Sequence, residues 1–441
     1  MHAPVQPTVG SRQVFAIAGP AMIANLTTPL IGVVSTTAIG RLDDAALLGG
    51  VAMASVIFDC LFWLFGFLRM STLAFTAQAL GAGETREQTV ILVRGFIVAG
   101  LIGTALIALQ LPLAAMLLDL MGGSAGVTTA AKTYFMIRIW SSPVVLANYV
   151  ILGWLVGQAR ATPALALQVV INLINMAATM LLVLVYDAGI AGAAIAALVS
   201  ETIGLLLGVV VCRRFATGGF GVPRATLFDR TRLMRLLAVN SDIMIRTAAL
   251  ITAFLFFTAK GARAGDVTLA ANSVLNNFLL VSAFFLDGLA NAAQQLCGRT
   301  YGARDARGFA DSTRLVLSWG IGFALVVAVL FALSGPKLID VMTASEEVRR
   351  AARDFLPFVI AAPLPGVFAF GFDGIYVGAT WAREMRNLML ASLAIFLGAW
   401  WALQSLGNTG LWCALIAFYV ARGGLQGARY PALYRKTFAK P

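Results

Sequence analysis

Five carboxylates interrupt the apolar stretches of this chain: Asp59, Glu201, Asp242, Asp287 and Asp373. Acids set among apolar residues bind a proton or a cation, or pair with a buried base. Little else here points to chemistry. The single histidine is His2, in a polar tail. The four cysteines, Cys60, Cys212, Cys297 and Cys413, are scattered and form no CxxC pair. They read as small buried apolar residues rather than metal ligands. No Walker A phosphate loop or catalytic dyad is visible, so enzyme chemistry is not expected, nor is a cofactor or a resident metal.

Asp373 is the foremost site residue. It lies in Gly371-Phe372-Asp373-Gly374, and the upstream Pro363-Leu364-Pro365-Gly366 should kink the helix that carries it. A kink frees backbone carbonyls, and a carboxylate adds a hard oxygen ligand. Together these suit Na+, or a proton in apolar surroundings. No base lies within one turn of Asp373 on its own helix, which favours an ion-binding role over a carboxylate neutralised by arginine. Asp287 is its expected helper. Asn272, Asn276 and Gln294 share a run with Asp287 at spacings close to one face of a 3.6-residue period. Such a stripe lines a cleft or bonds helices together. Asp242 and Arg246 stand i, i+4 in the acid-first order that favours an ion pair, with a gate as the alternative role. Glu201 and Asp59 read as structural. Met22, Phe58, Phe65 and Met70 are possible apolar contacts for a ligand.

These residues are set in a chain of 441 residues, 60% hydrophobic and only 12% charged, with a net charge of +12. The mean hydropathy is +0.87. A soluble chain would carry roughly twice that share of charge. The composition therefore requires a polytopic membrane protein. About twelve apolar runs are long enough to span a bilayer, near 14–38, 47–80, 88–118, 128–157, 163–186, 190–212, 236–259, 267–297, 312–333, 352–379, 386–405 and 409–427. They are continuous rather than alternating, which argues for helices and against a β-barrel. Lys and Arg concentrate at the termini and in the even-numbered loops, with Arg213, Arg214, Arg224, Arg230, Arg232 and Arg235 in the sixth. This asymmetry places both termini in the cytoplasm, and the basic tail Arg429, Arg435, Lys436 and Lys440 fits it. The positive charge is thus an orientation signal, and no nucleic-acid partner is expected. The N-terminus lacks the pattern of a cleaved secretory signal.

A shift of 221 residues brings the chain into register with itself. Leu80-Gly81-Ala82 falls on Tyr301-Gly302-Ala303, Asp119 on Asp340, Ala131-Lys132 on Ala352-Arg353, and Gly157 on Gly378. Six runs in each half make a parallel repeat, since an even number returns the chain to its starting side. The expected organisation is a six-helix bundle over 1–215, a cytoplasmic linker over 216–234 with Gly218, Gly219, Gly221 and Pro223, and a second six-helix bundle over 235–441. Two such bundles around a cleft are a transporter architecture.

Several stretches carry a family resemblance. AGPAMIANLTTPLIGVVSTTAIGRLDDAALLGGVA, LRMSTLAFTAQALGAG, GWLVGQARATPALALQVVINLIN, NSDIMIR, LDGLANAAQQLCGRTYGARD and FDGIYVGATWAREMRN fall in order through both halves. Together they resemble the multidrug and toxic compound extrusion (MATE) family, in particular its DinF-type branch. The resemblance implies two six-helix bundles working by alternating access in a bacterial inner membrane. It implies export of hydrophobic or cationic drug-like compounds in exchange for H+ or Na+, by a monomer in the lipid bilayer. It also implies an ion site at Asp373. Two positions depart from the family pattern, since Ser35 and Thr179 stand where aspartates are common, and a further change is Gln294, which stands where glutamate is frequent. Hydroxyls do not titrate near neutral pH, so coupling through the first half is not expected. The alternative is an ion-uncoupled or non-drug relative, such as a lipid-precursor flippase or a facilitator.

Overall fold

Every regular element among the described residues is helical, as the continuous apolar runs require. The computed structural model describes residues 10–41, 44–216 and 218–439; His2 and Lys440 lie outside them. The first half contains α1 (Ser11–Gly40), α2 (Ala45–Leu64), α3 (Phe67–Gly81), α4 (Thr85–Ala108), α5 (Gln110–Met121), α6 (Ala125–Arg138), α7 (Ser142–Gly157), α8 (Ala161–Met180) and α9 (Gly189–Phe215). The four-residue α10 (Arg224–Leu227) leads into α11 (Arg230–Arg263). There follow α12 (Asp266–Gly302), α13 (Ala306–Met342), α14 (Glu346–Ala361), α15 (Pro363–Gly378), α16 (Ala382–Leu403) and α17 (Asn408–Phe438).

Ten helices among the described residues are long and apolar enough to cross a membrane, and eleven if α14 and α15, bent by 46° at Ala362, count as one span. The chain is an all-α polytopic membrane protein. The twelfth expected run, 409–427, lies inside the 31-residue α17. It falls outside the ten because Arg422 and Gln426 interrupt its apolar sequence. The bend follows from Pro363 and Pro365, which cannot donate to the preceding turn.

The 221-residue register holds in the backbone. The starts of α2 and α12, α4 and α13, α6 and α14, α7 and α15, and α8 and α16 are each 221 residues apart. The caps repeat too: Ser124 accepts from Val127 N at the start of α6, and Ser345 from Val348 N at the start of α14. Ala159 and Thr380, again 221 apart, both adopt positive φ after their helices. The helices cross tightly at matched glycines. A Cβ on Gly157 would lie 2.7 Å from the Leu73 carbonyl oxygen, and one on Gly378 would lie 2.5 Å from that of Gln294. Gly153 and Gly374 approach the Arg69 and Ala290 carbonyls more closely still. Two breaks differ: α2 and α3 part at Phe65 and Gly66, and α4 and α5 at Leu109, whereas α12 and α13 run through the equivalent stretches unbroken.

The chain divides into two units, residues 23–240, and residues 1–22 with 241–441. This differs from the expected boundaries at two places. The linker segment belongs with the first unit because arginines hold it there. Arg94 donates to the Leu227 carbonyl at 2.9 Å and to that of Thr226, Arg86 donates to the Gly218 and Gly221 carbonyls, and Arg232 pairs with Glu87. The start of α1 belongs with the second unit. Phe15 packs edge-on against Trp319 at 4.7 Å, Trp319 Nε1 donates to Ser11 Oγ at 3.1 Å, and α12 has Gly288 where Met22 approaches.

Candidate functional site

In the second unit, α15 packs between α12 and α17, and its buried face carries Asp373, which is 4% exposed. The carboxylate is not alone. Arg422 of α17 donates from Nη2 to Oδ2 at 2.7 Å, Arg246 of α11 pairs with the same oxygen, and Gln426 Nε2 donates to Oδ1 at 2.8 Å. Arg422 is 1% exposed, with its guanidinium near the rings of Phe370, Phe418 and Tyr419. Tyr376 adds a bond from its hydroxyl to the Gln426 carbonyl at 2.7 Å. Two guanidiniums therefore share one carboxylate. Arg246 Nε, Arg422 Nε and Arg422 Nη1 are buried with no hydrogen-bond partner among the described residues.

This geometry corrects three expectations. Asp373 is not an unpaired acid, because its bases come from other helices, where spacing along its own helix cannot reveal them. Nor can the kink lend it carbonyls. Pro363 lies ten residues away, roughly 15 Å along the helix. Asp242 does not pair with Arg246 either; it accepts from Arg386 of α16 at 2.5 Å. Packing against neighbouring helices outweighs the i, i+4 contact, worth only a few tenths of a kcal/mol, about 0.2–0.5.

The polar run of α12 separates. Asn272 is buried and bonds Asn408 in both directions, at 2.8 and 3.0 Å, and it accepts from Trp412 Nε1 at 2.9 Å. It binds α12 to α17, the second of the two roles the stripe allowed. Gln294 is also buried, whereas Asn276 and Asp287 are exposed. Of the apolar contacts, Phe58 is core, stacked on Phe135 at 5.1 Å, and Met22 is buried.

In the first unit, Ser35 is half-buried and Thr179 is 1% exposed, its Oγ1 without a partner. One turn earlier Asn175 donates to Ser200 Oγ of α9 at 3.2 Å. The next residue of α9 is Glu201. Asn148 of α7 donates through Nδ2 to the Glu201 carboxylate at 2.7 Å and to the Glu201 backbone carbonyl at 2.9 Å. Arg138 of α6 stands within electrostatic reach of both Glu201 and Asp59. Arg422 and Asn148 were not singled out from the sequence. A base inside an apolar run, one turn from Gln426, marks Arg422; nothing local marks Asn148. Among the described residues no three His, Cys, Asp or Glu side chains gather as a metal site.

Repeated helical halves with buried charges define a membrane transporter architecture. The MatE family profile matches residues 20–181 and 243–399. The chain is 36% identical over 418 residues to DNA damage-inducible protein F of Escherichia coli K12, covering 94% of this chain and 91% of that protein. It is 27% identical over 440 residues to a probable multidrug resistance protein NorM of Caulobacter vibrioides, covering 96% and 91%. An outward-facing structure of a multidrug resistance MATE transporter of the MOP superfamily matches its fold with a TM-score of 0.87, at 18% identity over 96% of each chain. The chain belongs to the MATE family. It is a multi-pass membrane transporter and not an enzyme.

Proposed function

We propose that the protein is a secondary active exporter of hydrophobic or cationic drug-like compounds, working by alternating access as a monomer in a bacterial inner membrane, both termini cytoplasmic. Its likeness to a NorM protein over nearly its whole length supports the substrate class. The coupling ion is the proton. The observation that carries this choice is the double guanidinium on Asp373: two positive groups on one carboxylate repel Na+ from the oxygens it would need. Asp373 then serves as the brace between α11, α15 and α17.

A second reading, an ion-uncoupled relative, is favoured by that same neutralised Asp373 together with the hydroxyls Ser35 and Thr179. Purified protein in liposomes separates the readings. A fluorescent cationic dye should be transported against its gradient when a pH gradient is imposed, and not under a Na+ gradient alone. Equal downhill flux under every gradient would establish the uncoupled reading. Drive by Na+ would return the coupling role to a cation site.

A further inference from the structure

We infer that Glu201 is a proton-binding site of the first unit, with Asn148 holding it and Arg138 shared between it and Asp59. The inference rests on proton antiport as proposed above and names the group that carries the proton.

Asn148 is 2% exposed, and both partners of its Nδ2 are acceptors, which fixes the amide orientation. Its Oδ1 is buried and has no partner. A carboxylate cannot serve that oxygen, because it has no hydrogen to donate; a protonated carboxyl can. The orphan acceptor is thus suited to a neutral Glu201, while Nδ2 is suited to the ionised form. Asn148 accommodates both states of one group.

Arg138 offers the second half of the arrangement. It forms no ion pair among the described residues, and its Nη1 is buried without a partner. It nevertheless lies near two acids. An ionised Glu201 draws the guanidinium; a protonated one releases it towards Asp59. Asp59 is exposed, in the last third of α2. A charge on an apolar span faces a water-filled space, so Asp59 marks the way by which protons arrive.

The surroundings contain few other titratable groups. From the helices packed on α9, α2 contributes Asp59 and Cys60, α6 contributes Tyr134 and Arg138, and α7 contributes Tyr149 beside Asn148. The sequence of α8 contains none, only Asn172, Asn175 and Thr179 among the buried polar residues. Arg69 of α3 also reaches Tyr149. One carboxylate bonded to a neutral amide, with a nearby arginine that lies over the Phe62 ring and is ion-paired to neither acid, has two arrangements that differ by a single proton.

Full-length protein in lipid nanodiscs, taken from alkaline to acid pH, should show a rising protonated-carboxyl band in difference infrared spectra. The band should vanish in Glu201→Gln and return, displaced, in Glu201→Asp. In liposomes, Glu201→Gln should lose pH-driven dye transport by about tenfold or more, the scale of one coupling step. Dye counterflow without a gradient should persist in that variant, a readout that a misfolded protein would fail. A band unchanged in Glu201→Gln overturns the inference, and so does unchanged pH-driven transport. If the unsubstituted protein ignores the pH gradient while Glu201→Gln still removes the band, the site stands and the antiport reading falls.

Discussion

Position 201 of α9 and position 422 of α17 are 221 residues apart and occupy the same place in the repeat. One holds a glutamate, the other an arginine. Each reaches to the matched neighbouring helix, α7 or α15. Glu201 finds a neutral amide there, and Arg422 finds a carboxylate. The two halves keep the same helix starts, caps and glycine crossings yet invert the charge at their centres. An ion pair shared by two bases fixes its protonation and holds three helices together. An acid against an amide leaves the proton free to come and go. Matched scaffolds thus divide the work, one unit carrying the brace and the other the exchangeable group.

The sharpest way to break this contrast is Asp373→Asn. It removes the one negative charge between two buried guanidiniums and should cost about 3–5 kcal/mol, read as a large fall in unfolding temperature in detergent. A small effect would mean that the pair is not a brace. Next come Gly374→Ala and Gly153→Ala, each pushing a methyl into a carbonyl of the crossing helix. Both should destabilise by about 1–3 kcal/mol, and a neutral result in only one would show that the crossings are not equivalent. Arg386→Ala breaks the ion pair to Asp242, whose side chains are 26% and 14% exposed. Its cost should be about 1 kcal/mol or less in the same assay, well below Asp373→Asn, if partial solvent exposure weakens the pair. The smallest effect belongs to Glu201→Gln. Asn148 retains an acceptor, so stability should change by less than about 1 kcal/mol. A loss as large as that of Asp373→Asn would make Glu201 a second brace.

Much of the scaffold is legible in the sequence because its causes are local. Apolar run lengths set the spans, Pro363 and Pro365 set the bend, and the repeat of Gly157 on Gly378 reflects one helix crossing used twice. The ionic partners are not legible in the same way. Arg422 lies 49 residues beyond Asp373, and Arg246 lies 127 before it. Only the packing of α11, α15 and α17 brings them together, and a rule about neighbours on one helix assigned Arg246 to Asp242 instead. Asn148 shows the same limit, since an asparagine in an apolar run gives no sign of which helix it will face. The opposite charges at 201 and 422 are visible in the repeat itself, once the halves are laid over one another.

The segment joining the two halves holds Gly218, Gly219, Gly221 and six arginines between 213 and 235, a composition that invites cleavage by trypsin. Its backbone is nevertheless claimed by Arg86 and Arg94, which take the carbonyls of Gly218, Gly221, Thr226 and Leu227. A protease must open a segment before it can cut, so these bonds shield the arginines they border. The connection is a fastened strap rather than a loose tether. In folded protein it should outlast the C-terminal arginines under digestion, and replacing Arg94 should make it the first place the chain is cut.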